Sequence, residues 1–351
     1  MRLRPLILSL VLLGIASPLL ARDKTDVLIM NNGDRMTCEV KGLDAGVLYV
    51  SFDYIDGTTS VDWSKVARLE SKQLFVVKTE DGSVYTGELM TEETGANRPV
   101  QIKVLMEERE EVVNRSQVIR MVATSDKFWE RFNGNVNFGV IYSKGNQSTQ
   151  FSLGSNTIYV RERWNAGYSF ESNLSSNSGV NTSTRNSLAL TAFHLLPPKN
   201  WLYGGVGGFL QSSEQGISLQ TLLGGGIGRY LKNTDRANLM VLGGVAWQDT
   251  RYQQTKVPIG REQTAAALIY AKASFFRFSK THFDGTVLVL PALSDPGRVR
   301  FDTNLTYYVK LFGKVDWNVS FYGNWDTQPP PGLSSSDYGT SSGLSWSFGL
   351  K

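Results

Sequence analysis

The 351-residue chain is 41% apolar, 11% aromatic and only 19% charged, with 34 glycines, one cysteine and a net charge of +4. That balance excludes a disordered chain, which would be more polar and more highly charged, and a disulfide framework, which needs paired cysteines. The charge is uneven, −5 over residues 22–127 and +7 over 128–351, but neither part has the dense basic pattern of a nucleic-acid-binding protein.

Arg2 and Arg4 precede an apolar stretch from Leu6 to Leu20 that is interrupted by Ser9, Gly14, Ser17 and Pro18. A positive start followed by a short apolar run predicts a signal peptide over 1–21, ending at Ala21. The run is too short and broken to span a bilayer. No later run reaches the ~18 apolar residues of a spanning helix, so a helical membrane protein is excluded. A lone Cys38 suits an exported protein, and it lies too far along the chain for a lipoprotein anchor.

Residues 22–125 predict short strands separated by turn signals. Val27 to Met30 is followed by the turn Asn32-Gly33-Asp34, Met36 to Lys41 by Asp44-Ala45-Gly46, and Val61-Asp62-Trp63-Ser64-Lys65-Val66 leads to Arg68 and Leu69. The pattern recurs about 50 residues later: Leu74 to Lys78, Asp81-Gly82, Gly87, then Val113, Val118, Arg120 and Met121. The repeat predicts two small SH3- or Sm-like β units, 22–71 and 72–125. An acidic cluster, Glu107, Glu108, Glu110 and Glu111 around Arg109, lacks the spacing of a calcium loop and is expected to be a solvated hairpin.

From Gly134 onward, period-2 alternation repeats. Val136, Phe138 and Val140 alternate with Asn135, Asn137 and Gly139, and Phe301, Thr303, Leu305 and Tyr307 alternate with Asp302, Asn304, Thr306 and Tyr308. About twelve such runs begin near residues 134, 148, 162, 182, 201, 217, 237, 262, 282, 298, 314 and 338. They exceed the five or six residues of a typical soluble strand and match the ~9–11 tilted residues that cross a bilayer. The expected fold is all-β: an antiparallel transmembrane barrel of about twelve strands over 128–351, behind the two small units. Connections after even-numbered strands are short and should face the periplasm, while those after odd-numbered strands are longer and more polar. Aromatics beside the short turns, Trp164, Trp201, Tyr230, Phe276, Phe278, Phe283, Phe312 and Trp317, predict an interfacial girdle.

Ser341, Gly343, Trp346 and Phe348 resemble the C-terminal signal of bacterial outer-membrane proteins, although this chain continues through Gly349-Leu350-Lys351. That resemblance implies handling by the barrel-assembly machinery. The barrel region also resembles the DUF481 family, labelled salt-induced outer membrane proteins. The Asn32-Gly33-Asp34-Arg35 turn and the Val61 to Val66 motif resemble a periplasmic extension found in some members. The family carries no established activity, so the resemblance implies a fold and a location only.

Catalysis is not expected. A serine hydrolase needs a base within reach of its nucleophile, and the two histidines, His194 and His282, stand outside any His-x-Ser arrangement. No His, Cys, Asp or Glu spacing suggests a metal, and Gly204 to Gly208 and Gly224 to Gly226 lie in strands, without the helix that would make a phosphate loop. No cofactor is expected. By parity Arg163, Glu171, Lys272, Arg300, Asp302, Lys310 and Asp316 face inward. A ring of one sign would make a selective pore, whereas this mixed set suits a salt-bridged closed lumen or a narrow water-filled one. The leading expectation is a structural or pore-type component of the bacterial outer membrane, surrounded by lipid. Its periplasmic units would bind a protein, peptidoglycan or each other. A lipid hydrolase and a soluble secreted β protein are the alternatives.

Overall fold

The computed structural model describes residues 24–91, 100–106, 110–124, 132–143, 148–161, 163–177, 183–197, 199–253, 260–277 and 280–349. The expected signal peptide, Phe278, and Glu107, Glu108 and Arg109 of the acidic cluster lie outside the described residues. The described chain is strands, turns and two short 3-10 turns. Among the described residues no helix is long and apolar enough to cross a membrane.

The N-terminal part shows the repeat directly. Strands β1 (Asp26–Met30), β2 (Arg35–Asp44), β3 (Val47–Phe52) and β4 (Ile55–Asp62) lead through the 3-10 turn Trp63–Lys65 into β5 (Val66–Thr79). The second copy runs through β6 (Val84–Thr91), β7 (Gln101–Leu105) and β8 (Glu110–Asn114) to the 3-10 turn Arg115–Gln117 and β9 (Val118–Ala123). Gly33 and Gly82 occupy equivalent turns at φ +90° and +86°, a conformation that a Cβ disfavours.

The two copies do not stand apart. The division expected near residue 71 falls inside β5, one continuous strand. Its first half pairs with β1, and its second half with β6 and β9. Strand β2 crosses to β9 through Gly42↔Val122 and Leu43↔Met121. One core results, joining Leu28, Leu48, Trp63 and Leu69 to Phe75, Ile102, Val104 and Met121. A unit of ~50 residues buries little surface and is marginal alone, and here each copy completes the other's core. The 3-10 turns lock the pair reciprocally. Trp63 Nε1 donates to the Arg115 carbonyl at 3.0 Å, and Arg115 Nη1 donates to the Val66 carbonyl. Cys38 lies in the same core, where burial pushes its thiol up to about 12, so it stays protonated and inert.

The twelve predicted runs form twelve strands of one closed antiparallel barrel. They are β10 (Phe132–Ser143), β11 (Ser148–Val160), β12 (Trp164–Asn177), β13 (Ser183–Leu196), β14 (Trp201–Ser212), β15 (Ile217–Asn233), β16 (Ala237–Tyr252), β17 (Arg261–Arg277), β18 (Thr281–Pro291), β19 (Val299–Phe312), β20 (Val315–Asp326) and β21 (Ser336–Phe348). Closure joins β10 to β21, from Gly134↔Phe348 to Gly139↔Gly343. Alternation along each strand turns Phe138, Leu223, Ile227, Val245 and Leu344 outward at 53–65% exposure, while charged side chains gather inside. Such an apolar exterior is the surface a barrel presents to lipid.

The closing seam depends on a missing side chain. A Cβ on Gly343 would fall well inside contact with the Phe138 carbonyl and Gly139, whereas one on Gly243 would meet nothing within 4 Å. The variant Gly343→Val should therefore fail to close and lose the heat-shifted band of a folded barrel on detergent gels. Gly243→Val should keep it.

Candidate functional site

The lumen has two unlike walls. Strands β13–β18 turn Phe193, Leu202, Val206, Leu242, Leu268 and Leu290 inward, and these pack together as a core. Strands β10–β12 and β19–β21 present polar groups. Asn156 Nδ2 donates to Asn135 Oδ1 at 3.2 Å, and Asn135 Nδ2 donates to the Tyr308 hydroxyl at 3.2 Å. Between the walls lies a cavity of about 570 Å³.

The end carrying the longer connections is laced with charge. Arg298 grips Asp326 through Nε at 2.9 Å and Nη2 at 2.6 Å, and its Nη1 donates to Glu262. Arg300 reaches the same two carboxylates at 3.1 and 3.2 Å and also Gln248. Nearby Arg185, 2% exposed, lies 3.7 Å from Asp302, 3.7 Å from Asp337 and 3.9 Å from Glu171, and its guanidinium stacks over the Tyr322 ring. Asp337 in turn accepts from Ser212 Oγ at 2.6 Å. Arg298 and Arg300 are hydrogen-bonded to carboxylates, which is how buried guanidiniums persist, whereas Arg185 is held by the longer-range charges around it and by Ser187 Oγ at 3.3 Å. The proline-bearing connection after β20 folds back over this end, and Leu333 packs on Leu210, Ile217 and Tyr252.

The short-turn end is covered by the N-terminal domain. The turn after β13 places Lys199 and Asn200 in the left-handed region, at φ +85° and +61°, which asparagine tolerates well. Lys199 N donates to the Asp81 carbonyl at 2.9 Å, and Asn200 Nδ2 donates to the Glu80 carbonyl at 2.6 Å. Asn200 is held from behind by Asn233 Nδ2, at 2.7 Å from its Oδ1. Asp44, Tyr49, Lys78 and Arg120 of the domain line the cavity together with barrel residues. The contact gathers carboxylates. Burial raises Glu80 above the ordinary carboxylate range, and nearby Asp235 pushes the same way. Asp235 is raised by its own burial, against Arg236 and with Asp62.

Glu171, Lys272, Arg300, Asp302, Lys310 and Asp316 all line the cavity. Glu171, Arg300 and Asp302 join the charged end, while Lys310 and Asp316 sit opposite each other across β19 and β20 near the domain. Arg163 departs from the expectation. It is exposed in the turn before β12, and its carbonyl accepts from Leu195 N at 2.8 Å. The strand begins one residue later, so the alternation that would turn Arg163 inward does not reach it. Tyr230 and Phe276 also turn inward rather than into a girdle. Tyr230 keeps the inward parity of Leu222 and packs with it on the apolar wall, and Phe276 lies 4.9 Å from His282, ring to ring. Trp164, Trp201, Phe283, Phe312 and Trp317 hold outward positions. Arg185, Glu262, Asp326 and Asp337 share the inward parity of Arg300, so alternation alone could have found them. Arg298 lies in a connection, where alternation is silent. In β21, Trp346 and Phe348 face outward with ring centroids 6.0 Å apart, and Ser341 and Gly343 take the alternate positions.

The histidines are occupied. His194 lies outward between Trp164 and Tyr203, at centroid distances of 4.6 and 5.0 Å. His282 Nε2 is 2.7 Å from Asp284 Oδ2 inside the barrel, and Ser274 Oγ donates to the other oxygen of that carboxylate at 2.6 Å. Among the described residues no group of three His, Cys, Asp or Glu side chains could hold a metal ion.

The family model described as "Protein of unknown function, DUF481" matches residues 136–348. Among solved structures, the chain is similar to the translocator domain of the autotransporter NalP from Neisseria meningitidis, at 12% identity and a TM-score of 0.33, over 61% of this chain and 86% of that one. A porin matches at 12% identity and a TM-score of 0.27, covering 92% and 98%. The anion-selective porin from Comamonas acidovorans matches at 10% and 0.24, covering 62% and 98%. No curated protein matches the chain.

The charged end makes a stability prediction. Arg298→Met leaves Glu262 and Asp326 facing each other with only Arg300 between them. Breaking a buried pair in this way costs about 3–5 kcal/mol. The temperature at which the folded gel band is lost should drop, and the double variant R298M/D326L should recover part of that drop.

Proposed function

We propose that this chain, a member of the DUF481 family, is a non-catalytic outer-membrane barrel whose lumen is shut at rest at both ends, with the N-terminal domain as its periplasmic closure. One observation carries the proposal: the apolar belt faces out, the charges face in, and the domain sits over the short-turn mouth. In outer-membrane barrels the short turns face the periplasm. An exported N-terminal domain docked on Lys199 and Asn200 agrees with that orientation. The remaining surface of the domain would take a protein or peptidoglycan partner, and the barrel-assembly machinery would insert the barrel.

The arrangement at Asp284 supports a non-catalytic lumen. Nucleophilic catalysis needs a serine that gives its proton to a base. Here Ser274 and His282 both turn to the same carboxylate, and the serine donates its hydrogen bond to Asp284. A pore-type role is supported instead by the polar wall and the cavity beside it, which an opening at each end would convert into a passage.

Single-channel recording on the refolded full chain, with folding first verified by the heat-shifted band, tests the reading. Wild type should be silent. A variant combining Gly82→Val with Arg298→Gln and Arg300→Gln should show discrete openings. A Cβ at Gly82 would lie 2.7 Å from Asn200 Oδ1 and 2.8 Å from Asn200 N, and the arginine changes unlace the other end. Steady openings from wild type, or silence from the verified triple variant, would sink the gated-passage reading.

Docking should also follow pH. Glu80 and Asp235 are raised where the domain meets the barrel, so the docked state favours their protonated forms. Docking should tighten as pH falls through the raised docked values of the two carboxyls and loosen as pH rises through them. Limited proteolysis of the domain across that window checks the sign, and Glu80→Gln with Asp235→Asn should flatten the profile.

A further inference from the structure

We propose that the rim of the barrel on the long-connection side carries a binding site for the phosphate of a lipid headgroup, built by Arg251 and Arg261. The proposal rests on the outer-membrane reading. On β16 the outward positions run Val245, Trp247, Asp249, Arg251, and Arg251 pairs directly across the ladder with Arg261 of β17. Their side chains are 55% and 54% exposed. Two like charges directly opposite each other on one face destabilise a strand pair. Among the described residues, Asp249 alone stands between them, 2.7 Å from Arg261 Nε and 3.8 Å from Arg251 Nε, so the trio keeps a net positive charge.

Three features make this more than a polar rim. Asp249 approaches both arginines through Nε, which leaves their terminal amino groups for a ligand. Two adjacent guanidinium forks match the oxygens of one phosphate. Trp247, on the same face one turn of the pleat below Asp249, is the kind of side chain that marks the lipid–water boundary, and this sets the arginines at headgroup depth. Among the described residues the corresponding outward positions elsewhere are uncharged, as at Gln211, Thr221, Val299 and Tyr338. The cationic pair is therefore local to β16 and β17.

The test is native mass spectrometry of the refolded full chain in detergent, offered lipid A as a bis-phosphorylated lipid, dephosphorylated lipid A, or inorganic phosphate. Wild type should retain one phosphorylated lipid in preference to the dephosphorylated one. R251Q/R261Q should lower retention roughly tenfold, the scale of one lost charge-assisted contact. R251K/R261K, which keeps the charge but not the forks, should fall between. Equal retention by wild type and R251Q/R261Q, or no preference for the phosphorylated lipid, would overturn the proposal. Competition by inorganic phosphate at equal concentration would also overturn it, since the site would then be for the free anion. Vesicle insertion of each protein is measured in parallel. A wild type that does not insert defeats the outer-membrane reading itself, whereas insertion without lipid preference defeats only this site.

Discussion

Every backbone amide and carbonyl that faces hydrocarbon must find its partner within the protein, because lipid offers none and each unpaired group costs several kcal/mol. That constraint forces β21 back onto β10 and makes the seam at Gly139 and Gly343 a requirement of the whole fold. Once the ladder is closed, alternation has only two destinations. Apolar side chains take the outside, and what would be the solvent face of a soluble sheet becomes the wall of a lumen. The charged, buried interior is thus a consequence of closure rather than an added feature.

Charges confined in that way must be paired. Arg185, Arg298 and Arg300 are each shared among several carboxylates, so no single contact carries the network and it acts as one body. The opposite wall follows a different rule. From β13 to β18 a cluster of inward aliphatic and aromatic side chains packs as a core, with Lys272, Ser274 and Asp284 interspersed along the same cavity. The cavity is lined by both walls, from Phe193, Val206 and Met240 on one side to Asn135, Glu171 and Asp302 on the other.

Much of this was legible in the sequence. The twelve alternating runs set the strand count, because a period of two held over ten or more residues matches the pleat of an extended strand and no helix. Parity also placed Glu171, Arg300 and Asp302 on the inner face. It could not place Arg163 or Arg298, since both lie beyond the ends of strands, where the backbone no longer alternates. The fifty-residue repeat was visible, but the sharing of β5 was not, because local periodicity says which residues are buried and not which copy buries them.

That sharing bears on how the domain could close a barrel. Two independent units on a flexible connection would give a soft cover. In the observed arrangement β5 runs through both copies, β2 pairs with β9, and Trp63 and Arg115 bind across the repeat. The loop that holds Glu80 and Gly82 therefore springs from the same strand that spans the core. A push on that loop from Lys199 and Asn200 is carried into the whole sheet rather than absorbed locally, since packed interiors yield little to small displacements. A rigid body docked through a few contacts at the turns after β13 and β15 is released or seated as a unit. Its position then responds to anything that changes those few contacts, and the partly buried carboxylates at Glu80 and Asp235 lie among them.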